Sequence, residues 1–173
     1  MRILGIDPGI GRMGWGVIEM QPKALRRSSG QESTVHDYGC LETQPNSELS
    51  NRLKTIYEFV DKLCKDHKPD ALAIEELFFN TNAKTAFVVG QARGVVLLAS
   101  AQHAIPVAIY TPLQVKMAIT GYGRAEKNQI GQMVKTLLHL DSIPKPDDTC
   151  DALAIALTHG FSYKLEALKQ RGF

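Results

Sequence analysis

What this 173-residue chain lacks narrows it first. No apolar run approaches the ~20 residues that span a bilayer, and no apolar leader or Arg-rich presequence precedes the first strand-like segment. The expectation is a cytoplasmic protein with no membrane partner. Cysteine is scarce: Cys40, Cys64 and Cys150 are odd in number and form no CxxC. They suit reduced thiols and argue against a disulfide framework or a metal held by sulfur. Net charge is small as well, with Lys+Arg 20 against Asp+Glu 18 and a balance of +2, so a nucleic-acid role needs basic residues segregated in one region. The chain has no P-loop, no Ser-His-Asp or Cys-His grouping, no internal repeat and no low-complexity tract. At 44% hydrophobic, residues 1–173 read as a single domain with a full core and a short, weakly basic tail from about 161.

Against that background the stretch Arg2 to Gly16, RILGIDPGIGRMGWG, stands out. Ile3, Leu4, Gly5 and Ile6 make the short apolar run of a strand buried on both faces, and the run ends in Asp7. A charged group left there costs several kcal/mol unless a cation or several donors meet it. An Asx-type turn through Pro8, Gly9 and Gly11 would satisfy it; so would a bound cation. Trp15 to Met20 reads as a second strand returning beside the first.

Gln21 to Thr34 is polar, with Pro22 and Gly30, and reads as a long exposed connection; Val35 to Thr43 resumes as the third strand of an antiparallel meander. Leu49, Leu53, Ile56, Tyr57, Val60, Leu63 and Cys64 keep helical spacing, with Asn46 or Ser47 as N-cap and Pro69 beyond the end. Ala71 to Ile74 is a fourth strand that runs into Glu75 and Glu76. A helix separates it from the meander, so a crossover lays it parallel to the first strand and brings both acidic strand ends to one edge. Strand alternation sends Glu75 to the side of Asp7 and Glu76 away from it.

A helix over Asn82 to Ala104 is apolar nearly all round, as expected of one buried on two sides, within the monomer or against a second subunit. Val107 to Tyr110 is a fifth strand and Leu113 to Gly121 a short helix. Arg124 to Leu140 is an amphipathic helix with Ile130, Met133, Val134, Leu137 and Leu138 inward. The last helix, Asp148 to His159, is closed by Gly160, with His159 as a helix-end partner. Together these predict an α/β protein with a five-stranded mixed sheet, strands 1–3 antiparallel and 4–5 parallel, and helices on both faces.

Asp148 and Asp151 fall on one face of the last helix's first turn. Alone, that spacing equally suits helix capping and the helix dipole. With Asp7 and Glu75 at two strand ends, however, four carboxylates come from three element termini, where ligands gather in sheets of this class. Such a cluster raises its own pKa values and is tolerable with divalent cations; all-oxygen donors favour magnesium or manganese over zinc. Two such ions about 4 Å apart serve in-line displacement at phosphorus.

GIDPG with Gly14, Trp15 and Gly16, then AIEELFF, GQARG at Gly90 to Gly94, Gln114-Val115-Lys116, AEK at Ala125 to Lys127, and DDTCDALAIALTH resemble the bacterial RuvC Holliday junction resolvases from Met1 to about His159. The resemblance implies a ribonuclease H-like fold and a magnesium-dependent homodimer that nicks two opposed strands of a four-way DNA junction, leaving 5′-phosphate and 3′-hydroxyl ends. It implies Asp7, Glu75, Asp148 and Asp151 as catalytic metal ligands for two Mg2+, with Mn2+ able to substitute, and the branch-migration complex RuvA–RuvB as partner. Phe78 matches an aromatic near the junction centre, its other role being core filling beside Phe79. Lys116 and Lys127 match basic residues near the cleaved phosphate. With Arg124 and Lys135, against Glu126 alone, they supply segregated charge from Thr111 to Leu140. The long Gln21 to Thr34 connection departs from a tight hairpin. The alternatives are a related ribosomal-RNA-processing nuclease, against which Phe78 and GQARG argue, and a non-catalytic junction-binding scaffold, against which the four acids argue.

Overall fold

The computed structural model describes residues 1–21, 33–76 and 83–170, the side chains of 83–85 and 164–170 excepted. Five strands, β1 (Arg2–Asp7), β2 (Arg12–Met20), β3 (Ser33–Glu42), β4 (Ala71–Glu75) and β5 (Val107–Tyr110), form one sheet in the order β3-β2-β1-β4-β5. β1, β2 and β3 pair antiparallel, while β4 and β5 run parallel to β1 and to each other. The mixed ribonuclease H-like sheet expected from the sequence is present, and the apolar run of β1 lies at its centre, where neither face meets water.

Alternation along β1 and β2 divides the core. Leu4, Ile6, Met13, Trp15 and Val17 pack on one face against α1 (Leu49–His67) and α2 (Ala83–Gln102). Ile3 and Ala73 pack on the other against α5 (Asp147–Gln170), which also covers α3 (Pro112–Thr120) and α4 (Lys127–Leu137) from below. Gly5 and Gly16 make that second face unusually shallow. A Cβ on Gly5 would fall 2.2 Å from the Ala152 carbonyl oxygen, so α5 rests almost on the strand backbone. Among the described residues, no helix is long and apolar enough to cross a membrane.

Several boundaries differ from the sequence expectation, each for a local reason. α1 is preceded by Glu48, not by Asn46 or Ser47, and has no side-chain cap; those two are taken up by a turn in which Ser47 N donates to Gln44 O. α3 starts with Pro112 at its first position behind a reciprocal Thr111/Gln114 capping box. α4 is shorter than Arg124 to Leu140, because a Glu126/Gln129 box opens it and His139, at φ 52, turns the chain out after Leu137. Its Met133 is 36% exposed and not inward. α5 does not stop at Gly160. That glycine serves close packing, since its Cβ would meet Met20 Cγ at 2.6 Å, and His159 is mid-helix, with Nδ1 2.8 Å from Tyr110 Oη. Most of the Gln21 to Thr34 connection, and Phe78 and Phe79, lie outside the described residues.

Candidate active site

Asp7 is the last residue of β1 and Glu75 the last of β4, on neighbouring parallel strands paired through Ile6 opposite Ile74. The two acids therefore leave the sheet side by side. Glu76 is exposed, its backbone N–H donating to Tyr110 O, as alternation requires. Asp148 and Asp151 reach the same end because α5 begins directly over β2. Gly14 pairs with Asp7, and a Cβ on it would lie 1.8 Å from the Asp148 carbonyl oxygen. Any side chain at this position would push the first turn of α5 away from the strand ends.

The four acids share one electrostatic field. Burial, then the charges of Asp151, Glu75 and Asp148, push Asp7 from its ordinary 3.8 up to about 7, with Lys127 opposing. Glu75 is raised by burial and then by Asp151, against Lys127 and Lys116. Asp151 is raised by burial, opposed by Lys127, with Asp147 and Asp148 adding to the rise. Two cations from different elements reach two of the acids: Lys127 Nζ, from α4, lies 3.5 Å from Asp151 Oδ2, and Arg12 Nε, from β2, lies 3.5 Å from Asp148 Oδ2.

The donor set fits a hard divalent cation. It is all oxygen, converges from three element ends, and carries a carboxyl whose charge burial and three like neighbours oppose, a burden that a cation relieves. Among the described residues no three His, Cys, Asp or Glu side chains are already closed tightly enough to hold an ion as they stand. The acids converge without yet forming a cage, two of them drawn toward Arg12 and Lys127.

Of the basic residues singled out from the sequence, Lys127 and Lys116 stand within the field of the acids. Arg124 is exposed in the turn before α4, and among the described residues no ion pair joins it to the acids. Phe78 lies outside the described residues. Sequence reasoning missed Arg12. The signal was available in the period of two that sets Arg12, Gly14 and Gly16 on one face of β2, the face that α5 covers.

The family described as crossover junction endodeoxyribonuclease RuvC matches residues 3–159. A protein of that name from Desulforamulus reducens is 55% identical over 159 residues, covering 92% of this chain and 93% of that one. A Thermus thermophilus RuvC structure superposes with a TM-score of 0.86 at 36% identity, over 96% of this chain and 97% of the other. T. thermophilus RuvC in complex with Holliday junction substrate does so with 0.88 at 35%, over 96% of each. The match runs through all four acids, and the chain belongs to the RuvC family of crossover junction endodeoxyribonucleases, which are metal-dependent nucleases.

Proposed function

We propose that this chain resolves four-way DNA junctions, hydrolysing one phosphodiester in each of two opposed strands to leave 5′-phosphate and 3′-hydroxyl ends. The observation that carries the reading is the convergence of Asp7 and Glu75, on paired strand ends, with Asp148 and Asp151 in the first turn of α5, in a fold shared with a relative solved on Holliday junction substrate. Asp7, Glu75, Asp148 and Asp151 would hold two Mg2+, with Mn2+ as a substitute. Bound there, such ions supply charge neutralisation at phosphorus and an acidified attacking water.

The chain's own groups do the rest. Asp7 gives up its proton to become a donor, and the carboxylates of Glu75 and Asp151 join it from the end of β4 and the first turn of α5. Lys127 and Lys116 set positive charge beside the acids, where a phosphate enters, and Arg124 extends it along the turn before α4. Such contacts make binding salt-sensitive. Phe78 is assigned to stacking on a base near the junction centre, worth about 1–3 kcal/mol.

Two such sites suit two opposed strands if the chain is a homodimer, and α2 is the face assigned to it. Phe87 is 69% and Leu98 55% exposed. They share a stripe with Gly94, whose Cβ would meet nothing within 4 Å, so that this mid-helix glycine serves no packing among the described residues. The cytoplasm as location and RuvA–RuvB as partner belong to the same proposal.

The test is incubation of the purified protein with a synthetic four-way junction and a matching linear duplex, with magnesium and with chelator, mapping the cuts. Paired, symmetric, magnesium-dependent nicks in the junction alone are expected. Binding without nicks, or cleavage of RNA instead, would overturn the assignment.

A further inference from the structure

The ion pairs of this chain fall into tight and loose kinds. Lys65 meets Asp61 at 2.6 Å and Lys145 meets Asp147 at 2.7 Å, and each pair lowers the acid's pKa. Arg12 meets Asp148 through Nε alone, at 3.5 Å, beyond the roughly 2.7–2.9 Å of a charge-assisted hydrogen bond. Its side chain is 54% exposed, and among the described residues no hydrogen bond engages its two terminal Nη groups. A guanidinium that meant only to fix Asp148 would close on it with both prongs.

The backbone beneath Arg12 is stiff by contrast. Thr43 N donates to Gly11 O at 3.0 Å, Arg52 Nη2 donates to Ile10 O at 3.1 Å, and the Thr43 hydroxyl donates to Ile10 O as well. Arg52 Nε in turn donates to Thr43 Oγ1 at 2.8 Å. A half-buried arginine, Arg52, thus pins the turn from which a second, exposed arginine projects. Arg12 reaches the cluster from β2 at Asp148, and Lys127 reaches it from α4 at a different acid, Asp151.

From this arrangement we infer that Arg12 is a DNA-contacting residue, its guanidinium binding a backbone phosphate of the cleaved strand on the β2 side of the acids, beside Asp148. The inference rests on the junction-nuclease reading. A planar fork with free Nη groups on a fixed turn is matched to a phosphate's paired oxygens, and Asp148 keeps it aimed until the strand arrives.

The test measures equilibrium binding of a synthetic four-way junction over a salt series, with magnesium, in the Asp7→Asn background so that the DNA stays whole. Arg12→Gln should weaken binding about tenfold at low salt and reduce the slope of log K against log salt by about 0.9, the contribution of one phosphate contact. Arg12→Lys should restore the slope and only part of the affinity. A junction series with single methylphosphonates should contain one position at which Arg12→Gln no longer matters. Unchanged affinity and slope would overturn the inference, as would a loss that no single neutral phosphate removes. Failure of the Asp7→Asn parent to prefer the junction over duplex would instead overturn the junction reading beneath it.

Discussion

Asp147 and Asp151 stand one helical turn apart at the start of α5, each beside a lysine, and they are shifted in opposite directions. Lys145 Nζ lies 2.7 Å from Asp147, through which it holds that exposed carboxyl below its ordinary range. Lys127 Nζ lies 3.5 Å from Asp151, which burial raises in spite of it. The same contrast runs through the molecule. Glu19 is lowered by its bond to His36, and Asp61 by Lys65 and His103, while Asp7 and Glu75 at the strand ends are raised. Rim acids are matched by the cations the chain itself provides; acids at the strand ends are gathered faster than the chain matches them. The imbalance disfavours the folded chain by itself and favours whatever brings positive charge, which marks the second region as the candidate site.

The sharpest way to break this contrast is to neutralise one acid of each kind. Asp7→Asn should lower magnesium-dependent junction cleavage by several orders of magnitude while binding stays intact or tightens, since one negative charge facing phosphate is gone. Asp147→Asn should leave cleavage within a few-fold of the parent. Gel analysis of cuts beside mobility shifts in chelator would separate the two, and equal losses of cleavage would erase the distinction between rim and site. A smaller effect is expected from the glycines beneath α5. Gly14→Ala forces its Cβ against the Asp148 carbonyl, and a displacement of this kind costs about 100-fold in cleavage. Gly16→Ala meets the end of a side chain, Leu153 Cδ2 at 2.5 Å, which can swing; it should cost about 1–3 kcal/mol of stability and little activity.

Those glycines also mark how far the sequence carries. The sheet was legible because β1 and β4 are apolar runs ending in acid, and the parallel pairing of Ile6 with Ile74 follows from the helix between them. Four acids at three element ends were legible as a cluster for the same reason. Helix ends were less so: Gly160 carries the statistical mark of a stop, yet its role is contact with Met20, a long-range fact that no local pattern contains. The inward face assigned to Met133 failed because α4 lies at the edge of the core, with solvent on part of the apolar stripe. Arg12 was overlooked because a lone exposed arginine after a turn looks like solubility. Its meaning depends on α5 starting above β2, which a long-range packing decision sets.

The pH dependence of stability gives the most direct measure of the imbalance. In chelator, Asp7 has an ordinary pKa of 3.8 and a folded value of about 7, so between those limits the folded chain holds a proton that the unfolded chain releases. Stability from this group is therefore full below about 4, declines as pH rises, and is lost above about 7, a few kcal/mol in all. Asp7→Asn should lessen the decline, leaving the share of Glu75 and Asp151, and raise Tm in chelator at pH 8 by about 5 °C or more, with little change at pH 4. Asp61 supplies the opposite sign. Its carboxyl is lowered by Lys65 and His103, so its contribution is present above the ordinary value and fades as pH falls through the lowered one. Asp61→Asn should leave Tm at pH 8 marginally reduced and flatten the fall in acid. Thermal melts of the two variants across pH 3 to 8 thus tilt in opposite directions if the site acids are held against their own charge. Parallel curves would mean that Asp7 is as well matched as the rim.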